Sequence, residues 1–172
     1  MSSTSLSKSG SSGASDIYLH LQTKRAGKAK GEAVVSGHEG DICITSWSWG
    51  VVATSAIGAT QSTARRSYKG LTLVKQIDTA TTALMAALAT NDEIKEARLT
   101  MRKAGSEQID YFTITLNSAR VASIDHATNA QGDTSEIVTL LFTKLSVEYR
   151  PQTSAGIKGG SFVFQDEVLP AA

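Results

Sequence analysis

The stretch DYFTITLNSARVASI, residues 110–124, decides the fold. Its first half places Phe112, Ile114 and Leu116 at every second position, which is the period of a β-strand that buries one face. The small apolar residues then move to the odd-numbered positions, beginning with Ala119. A change of parity inside one apolar segment predicts a bulge, or a strand that crosses from one sheet to another.

Similar alternations follow one another from Asp16 onward, separated by clusters of Gly, Asn, Asp and Ser, which is typical of an all-β domain. A second long segment runs from Ile137 to Tyr149, apolar on both faces in its first half and alternating in its second. Strands of this length fit a barrel or a sandwich corner better than a flat open sheet. We predict strands at 16–23, 41–52, 68–74, 93–103, 110–123, 137–149 and 161–165.

Only the segment DTATTALMAALATND, residues 78–92, has a helical period. Its apolar residues fall at 80, 83, 84, 87 and 88, which makes a one-sided stripe, and Asp78 or Thr79 can cap its start. The sequence thus predicts a mainly β fold, a two-sheet β-barrel with one flanking α-helix of about ten residues.

Length and composition indicate one domain, since the chain has 172 residues. Lys plus Arg number 17 against 16 Asp plus Glu, so no global field attracts nucleic acid or an anionic membrane. The single cysteine excludes an intrachain disulfide and favours a reducing cytoplasm, and no signal peptide or membrane span is expected. We predict a disordered Ser-rich tail at 1–15, a β-domain at 16–165 and a C-terminal tail at 166–172.

The best candidate for a reaction centre is GHEGDICITSWSWG, residues 37–50, which sets His38, Glu39, Asp41 and Cys43 close together. Zinc needs three or four ligands at recognisable spacing, and Cys43 has no partner cysteine and His38 no nearby second histidine. Nucleophile motifs and glycine-rich phosphate loops are missing from the sequence too. We therefore interpret the stretch as a polar turn that enters a strand, with no metal, no cofactor and no enzymatic activity expected.

Two tryptophans lie two residues apart in the same stretch. Trp47 and Trp49 share one face of a strand, which we expect to pack in the core. Ser46 and Ser48 then face the other way, where small hydroxyls would line a smooth surface. Exposed tryptophans would instead form the stacking platform of a small-ligand or glycan-binding β-barrel. The other predicted core residues are Leu99, Met101, Phe112, Ile114 and Leu116.

Five segments carry a family resemblance: KGEAVVSGHEGDICITSWSWG (30–50), LTLVKQID (71–78), KEARLTMRKAG (95–105), DYFTITLNSARVASI (110–124) and VTLLFTKLSVEYRPQ (138–152). In this order they resemble the Hcp family, the haemolysin-coregulated proteins that form the inner tube of the bacterial type VI secretion system. The resemblance extends from about Asp16 to Gln165. Its most specific pieces are Ser46 to Gly50 and Arg102 to Gly105.

The resemblance implies a phage tail-tube-like β-barrel, six copies of which close into a ring. Rings of the family stack into a hollow tube that a contractile sheath expels behind a VgrG-type spike, with effector proteins in the lumen. It also implies secretion without a signal peptide. The composition gives the expectations of synthesis in the cytoplasm, no nucleic-acid partner and no membrane insertion. Ser46 and Ser48 would face the lumen. The ring-stacking loop would contain Val51, Ala53, Ile57, Arg65 and Arg66.

Overall fold

A computed structural model describes residues 16–53, 66–103, 109–151 and 160–168. Within these ranges the chain forms eleven β-strands and one α-helix. The predicted tail at 1–15 lies outside them. The elements are β1 (Asp16–Thr23), β2 (Gly27–Lys28), β3 (Ile42–Cys43), β4 (Ser46–Ser48), β5 (Val51–Ala53), β6 (Arg66–Tyr68), β7 (Leu71–Gln76), α1 (Thr81–Ala89), β8 (Ile94–Arg102), β9 (Asp110–Thr128), β10 (Thr134–Tyr149) and β11 (Phe162–Glu167).

Nine of these strands form one antiparallel sheet with the order β2-β1-β8-β9-β10-β7-β4, to which β3 adds beside β1 and β11 beside β10. Strands β5 and β6 pair only with each other among the described residues. The sheet folds over a single apolar core in a sandwich-like arrangement, and hydrogen bonds between the described strands do not close it. The predicted mainly β fold with one helix is confirmed.

The fold of the sheet depends on a corner in its two longest strands, β9 and β10. Ser118 in β9 has a positive φ of 49°, and the hydroxyl of Thr143 in β10 donates to its carbonyl at 3.3 Å. Both strands change the parity of their buried residues near this contact. Further along, Ala122 is an extra residue between the partners of Thr139 and Leu140. The predicted change of parity is therefore confirmed, and each long strand keeps a buried face on both sides of the corner.

The helix is placed as predicted, but its apolar stripe differs. Leu84 and Ala87 are buried, whereas Ala83 and Leu88 are exposed, so the stripe was wrong at those two positions. The buried side of the helix also includes its first residue, Thr81, whose hydroxyl contacts Lys75 and Glu136 on the sheet. The predicted cap was wrong, because the N-cap residue is Ala80 and the helix has no side-chain cap hydrogen bond. Asp78 instead accepts the backbone N–H of Ala80 at 2.9 Å, just before the helix begins.

Several predicted strand boundaries are corrected. The strand expected at 68–74 is wrong at both ends, because Tyr68 lies in β6 and β7 is Leu71–Gln76. The continuous strand expected at 41–52 is wrong, because its pieces β3, β4 and β5 pair with three different partners, β1, β7 and β6. Strand β9 continues to Thr128 rather than ending at 123. Strand β11 ends at Glu167 and so extends into the predicted C-terminal tail.

Candidate functional site

The stretch 37–50 begins in a buried polar network. His38 is buried, with its Nδ1 3.0 Å from Asp41 and its Nε2 3.2 Å from Asp110. Its ring stacks on Tyr18 at 4.7 Å between centroids. Each ring nitrogen of His38 lies within hydrogen-bond distance of a carboxylate. The histidine therefore holds the turn against β1 and the start of β9.

Asp41 is the centre of this network. Lys28 lies 3.0 Å and His20 3.3 Å from its Oδ1. Burial alone would raise the pKa of Asp41, but the hydrogen bonds from Lys28, His38 and His20 hold that pKa below its ordinary value. Within the described residues, no group of three or more His, Cys, Asp or Glu side chains is arranged to hold a metal ion. The network fastens the segment before β3 over the outer face of β1.

The tryptophans pack against the core from its rim. Trp47 is half-buried and stacks on Phe112 at 6.2 Å, and Trp49 is half-buried and stacks on Tyr68 at 6.0 Å. Stacking on another ring occupies one face of each indole. Of the other predicted core residues, Phe112 is half-buried, and four are buried: Leu99, Met101, Ile114 and Leu116.

The face of the sheet opposite the core carries a row of four hydroxyl side chains. Ser48 in β4 is opposite Thr72 in β7, Thr72 is opposite Thr139 in β10, and Thr139 is opposite Ser123 in β9. The hydroxyls of Thr72 and Thr139 are 3.5 Å apart. Ser46 is exposed on the same face of β4. Sequence reasoning identified only the two serines of β4, because a row across strands depends on register.

The predicted ring-stacking residues are only partly described. Val51 and Ala53 lie in β5 and Arg66 lies in β6, and all three are exposed on the β5–β6 hairpin. Ile57 and Arg65 lie outside the described residues.

The base of this hairpin is fastened by Asp166 of β11, a residue that sequence reasoning missed. Arg66 donates to both carboxylate oxygens, with Nη2 2.6 Å from Oδ1, and the Tyr68 hydroxyl donates to Oδ2 at 2.6 Å. These bonds, from Arg66 first and Tyr68 second, lower the pKa of Asp166 to about 2. The sequence signal was weak, because Asp166 follows the predicted end of the last strand.

Strand β11 also exposes three consecutive large apolar side chains. Phe162 is 68% exposed, Val163 55% and Phe164 53%. Because successive side chains of a strand point to opposite faces, both faces of β11 are uncovered. One edge of β11 pairs with β10, and no described strand pairs with the other. Uncovered apolar edge strands of this kind mark interaction surfaces.

The fold and its surfaces define a class: a mainly β protein that presents an apolar strand edge unpaired among the described residues. Residues 18–149 match the family model described as "Type VI secretion system effector, Hcp". The chain is 34% identical over 149 residues to Protein hcp1 of Pseudomonas aeruginosa, covering 84% of this chain and 89% of that protein. The chain belongs to the Hcp family of type VI secretion effector and tube proteins, which are structural and secreted.

Solved structures agree at the level of the fold. One titled as a type six secretion system protein superposes with a TM-score of 0.77 at 19% identity, covering 87% of this chain and 92% of its own. Hcp1 of an E. coli EAEC 042 pathovar superposes with a TM-score of 0.73 at 20% identity, covering 90% of this chain and 99% of its own. Hcp1 from Salmonella typhimurium gives 0.69 at 23% identity, covering 88% and 95%. In the part of the chain that the structure describes, no helix is long and apolar enough to cross a membrane.

Proposed function

We propose that this chain is the structural subunit of a type VI inner tube. Six copies close into a ring, and rings stack into a hollow tube that a contractile sheath expels behind a VgrG-type spike, with effector proteins in its lumen. The chain is made in the cytoplasm and leaves through the secretion system without a signal peptide. It has no catalytic role, no cofactor, no nucleic-acid partner and no membrane insertion.

The observation that carries this proposal is the exposed apolar edge of β11. A monomer with Phe162, Val163 and Phe164 uncovered on both faces of an edge strand is prone to association. A ring with six-fold symmetry requires head-to-tail contacts, in which one surface of a subunit binds a different surface of the next. We propose β11 as one half of that contact. The other half is the outer side of α1, where Met85 and Leu88 are exposed.

The hydroxyl row supports a lumen assignment for the face opposite the core. Ser48, Thr72, Thr139 and Ser123 present short uncharged groups across four strands. A lumen surface lined by these hydroxyls would form few strong ionic contacts with effector proteins. This suits a channel that must later release its cargo. We propose that Ser46 and Ser48 line the lumen together with the rest of the row. Val51, Ala53, Ile57, Arg65 and Arg66 then form the axial contact with the next ring.

The experiment that tests the ring is native mass spectrometry of the purified protein, with negative-stain imaging. We expect assemblies of six chains for the wild type and monomers for Val163→Glu, because a charge on β11 opposes burial of that edge. Val34→Glu is the matched control, since Val34 is exposed but lies before β3. A wild-type protein that stays monomeric at high concentration contradicts the proposal.

The lumen assignment is tested separately with Ser48→Gln. The larger side chain adds bulk to the wall without charge, so we expect intact rings and reduced effector retention in a pull-down. Ser36→Gln, at an exposed serine before β3, is the control and should retain effector like the wild type. Unchanged retention by Ser48→Gln would remove Ser48 from the lumen wall.

A further inference from the structure

The β5–β6 hairpin leaves the main sheet at a defined junction. Strand β7 pairs with one edge of β10 as far as Leu71 opposite Leu140. Strand β11 takes over the same edge from Lys144 onward, because β9 occupies the other edge throughout. Strand β6, which precedes β7, therefore has no place on β10 and turns away from it.

Gly70 makes this departure possible. A Cβ atom at this position would lie 2.9 Å from the Thr139 methyl group and 3.2 Å from the Leu140 carbonyl oxygen. Such distances leave room for a Cβ atom only if the Thr139 side chain and neighbouring atoms of β10 shift. The chain therefore passes tightly over β10 and emerges as a hairpin of three-residue strands.

A two-stranded hairpin is at most marginally ordered in water without further contacts. Here the further contacts converge on Tyr68 and Asp166. The Tyr68 ring stacks on Trp49 at 6.0 Å and meets Phe142 edge-on at 5.8 Å. Its hydroxyl and the guanidinium of Arg66 both donate to the Asp166 carboxylate. The aromatic contacts hold the base of the hairpin, and the carboxylate sets its direction relative to β11.

We propose that Asp166 is the positioning residue for axial assembly. It holds the β5–β6 hairpin in the direction in which a second copy of this chain, in the neighbouring ring, binds it. This inference rests on the proposed tube function and adds a mechanism to it: a preorganised hairpin does not lose conformational freedom again when rings stack. Because Asp166 belongs to β11, the proposed ring contact and the axial contact share one strand.

The test is Asp166→Asn, which removes the charge and keeps the shape of the side chain. We expect native mass spectrometry to find six-chain rings as in the wild type. Negative-stain images at a concentration where wild-type rings stack should show at least tenfold fewer stacked rings. Amide hydrogen exchange in 51–53 and 66–68 should be at least tenfold faster within intact rings.

Two further variants separate positioning from a change of charge. Glu167→Gln removes the adjacent carboxylate of β11 and should behave like the wild type in all three measurements. Arg66→Asp combined with Asp166→Arg restores an ion pair of reversed polarity and should recover part of the stacking and of the exchange protection.

The outcomes separate this inference from the tube function. Wild-type stacking and exchange in Asp166→Asn overturn the positioning role, and so does loss of the rings together with the stacks. If the wild type forms no rings, the tube function fails and the axial role fails with it. Exchange then still decides whether Asp166 holds the hairpin: faster exchange in Asp166→Asn supports this, and unchanged exchange overturns it.

Discussion

Two carboxylates on adjacent strands of one sheet hold cations in opposite surroundings. Glu136 of β10 is 0% exposed and faces Lys75 of β7, which is 1% exposed, beneath the start of α1. Asp166 of β11 holds Arg66 and Tyr68 at the edge of the sheet, and the Arg66 side chain is 51% exposed. Water cannot replace a lost partner at the buried Glu136–Lys75 pair, but it can do so at the Asp166–Arg66 pair. The buried pair therefore acts on folding, whereas the edge pair acts on the direction of the hairpin.

The buried pair is part of a five-residue cluster. Lys75 Nζ lies 2.8 Å from Asp78, 3.2 Å from the Thr81 hydroxyl and 3.4 Å from Glu136 Oε2. The Thr81 hydroxyl donates to Glu136 Oε2 at 2.7 Å, and His126 Nε2 lies 3.3 Å from the same oxygen. Among the described residues, no hydrogen-bond partner reaches Glu136 Oε1. The cluster attaches the first turn of α1 to the sheet. Lys75 supplies the positive charge that compensates the carboxylates of Asp78 and Glu136.

The largest expected effect follows from breaking this cluster with Lys75→Met. Removing one partner of a buried ion pair leaves the other charge uncompensated, so we expect the free energy of unfolding to fall by about 3–5 kcal/mol. Urea denaturation followed by circular dichroism measures it. Lys95→Met on the exposed side of β8 is the control and should change stability by less than about 0.5 kcal/mol. A similar small loss in Lys75→Met would mean that water reaches the cluster.

A second variant tests whether the charge itself is needed. Lys75→Met combined with Glu136→Leu replaces both partners by apolar groups, which in buried pairs is often neutral or stabilising. We expect the double variant to regain at least about half of the stability lost by Lys75→Met, by the same denaturation measurement. A double variant as unstable as Lys75→Met would show that Glu136 is not the group left uncompensated.

This cluster also shows where prediction from sequence ends. The alternation of Leu71, Leu73 and Lys75 puts the lysine on the core side, yet a lysine at a strand end usually reaches solvent. Its nearest carboxylate, Asp78, is only three residues away, but Glu136 is distant in the sequence and becomes a neighbour only through the register of β7 and β10. Periodicity predicts which face of a strand a side chain occupies, whereas the register between strands determines which residue lies opposite it.

Local features were predicted from the sequence, whereas features that depend on strand pairing were not. The parity change in β9 and the position of α1 are local features, and both were predicted. The breaks between β3, β4 and β5 arise from three different partner strands and were not. The positioning role of Asp166 depends on Arg66 and Tyr68, which the chain brings together across a long separation.

An intermediate effect is expected at Asp41, whose network is buried but lies near the surface. Because the pKa of Asp41 in the folded chain is below its ordinary value, its stabilisation is complete above about pH 5 and is lost as pH falls through 3.8 and below. Asp41→Asn should therefore cost about 1–2 kcal/mol at pH 7 and progressively less toward pH 3. Urea denaturation at several pH values measures this difference. A cost independent of pH would show that shape, rather than charge, holds the turn.

The smallest effect on stability is expected at Asp166. Its ion pair lies at the solvent-exposed edge, so Asp166→Asn should leave the urea midpoint at pH 7 unchanged within error. Its pKa of about 2 is below the ordinary 3.8, so the carboxylate holds the hairpin at neutral pH and releases it as pH falls toward 2. Because Trp49 stacks on Tyr68, its fluorescence in a Trp47→Phe background should report this release. The wild-type signal should approach that of Asp166→Asn as the pH is lowered, while the two differ at pH 7. A large fall in the urea midpoint, with no difference in fluorescence, would place Asp166 with Glu136 as a folding residue and remove the contrast between core and edge.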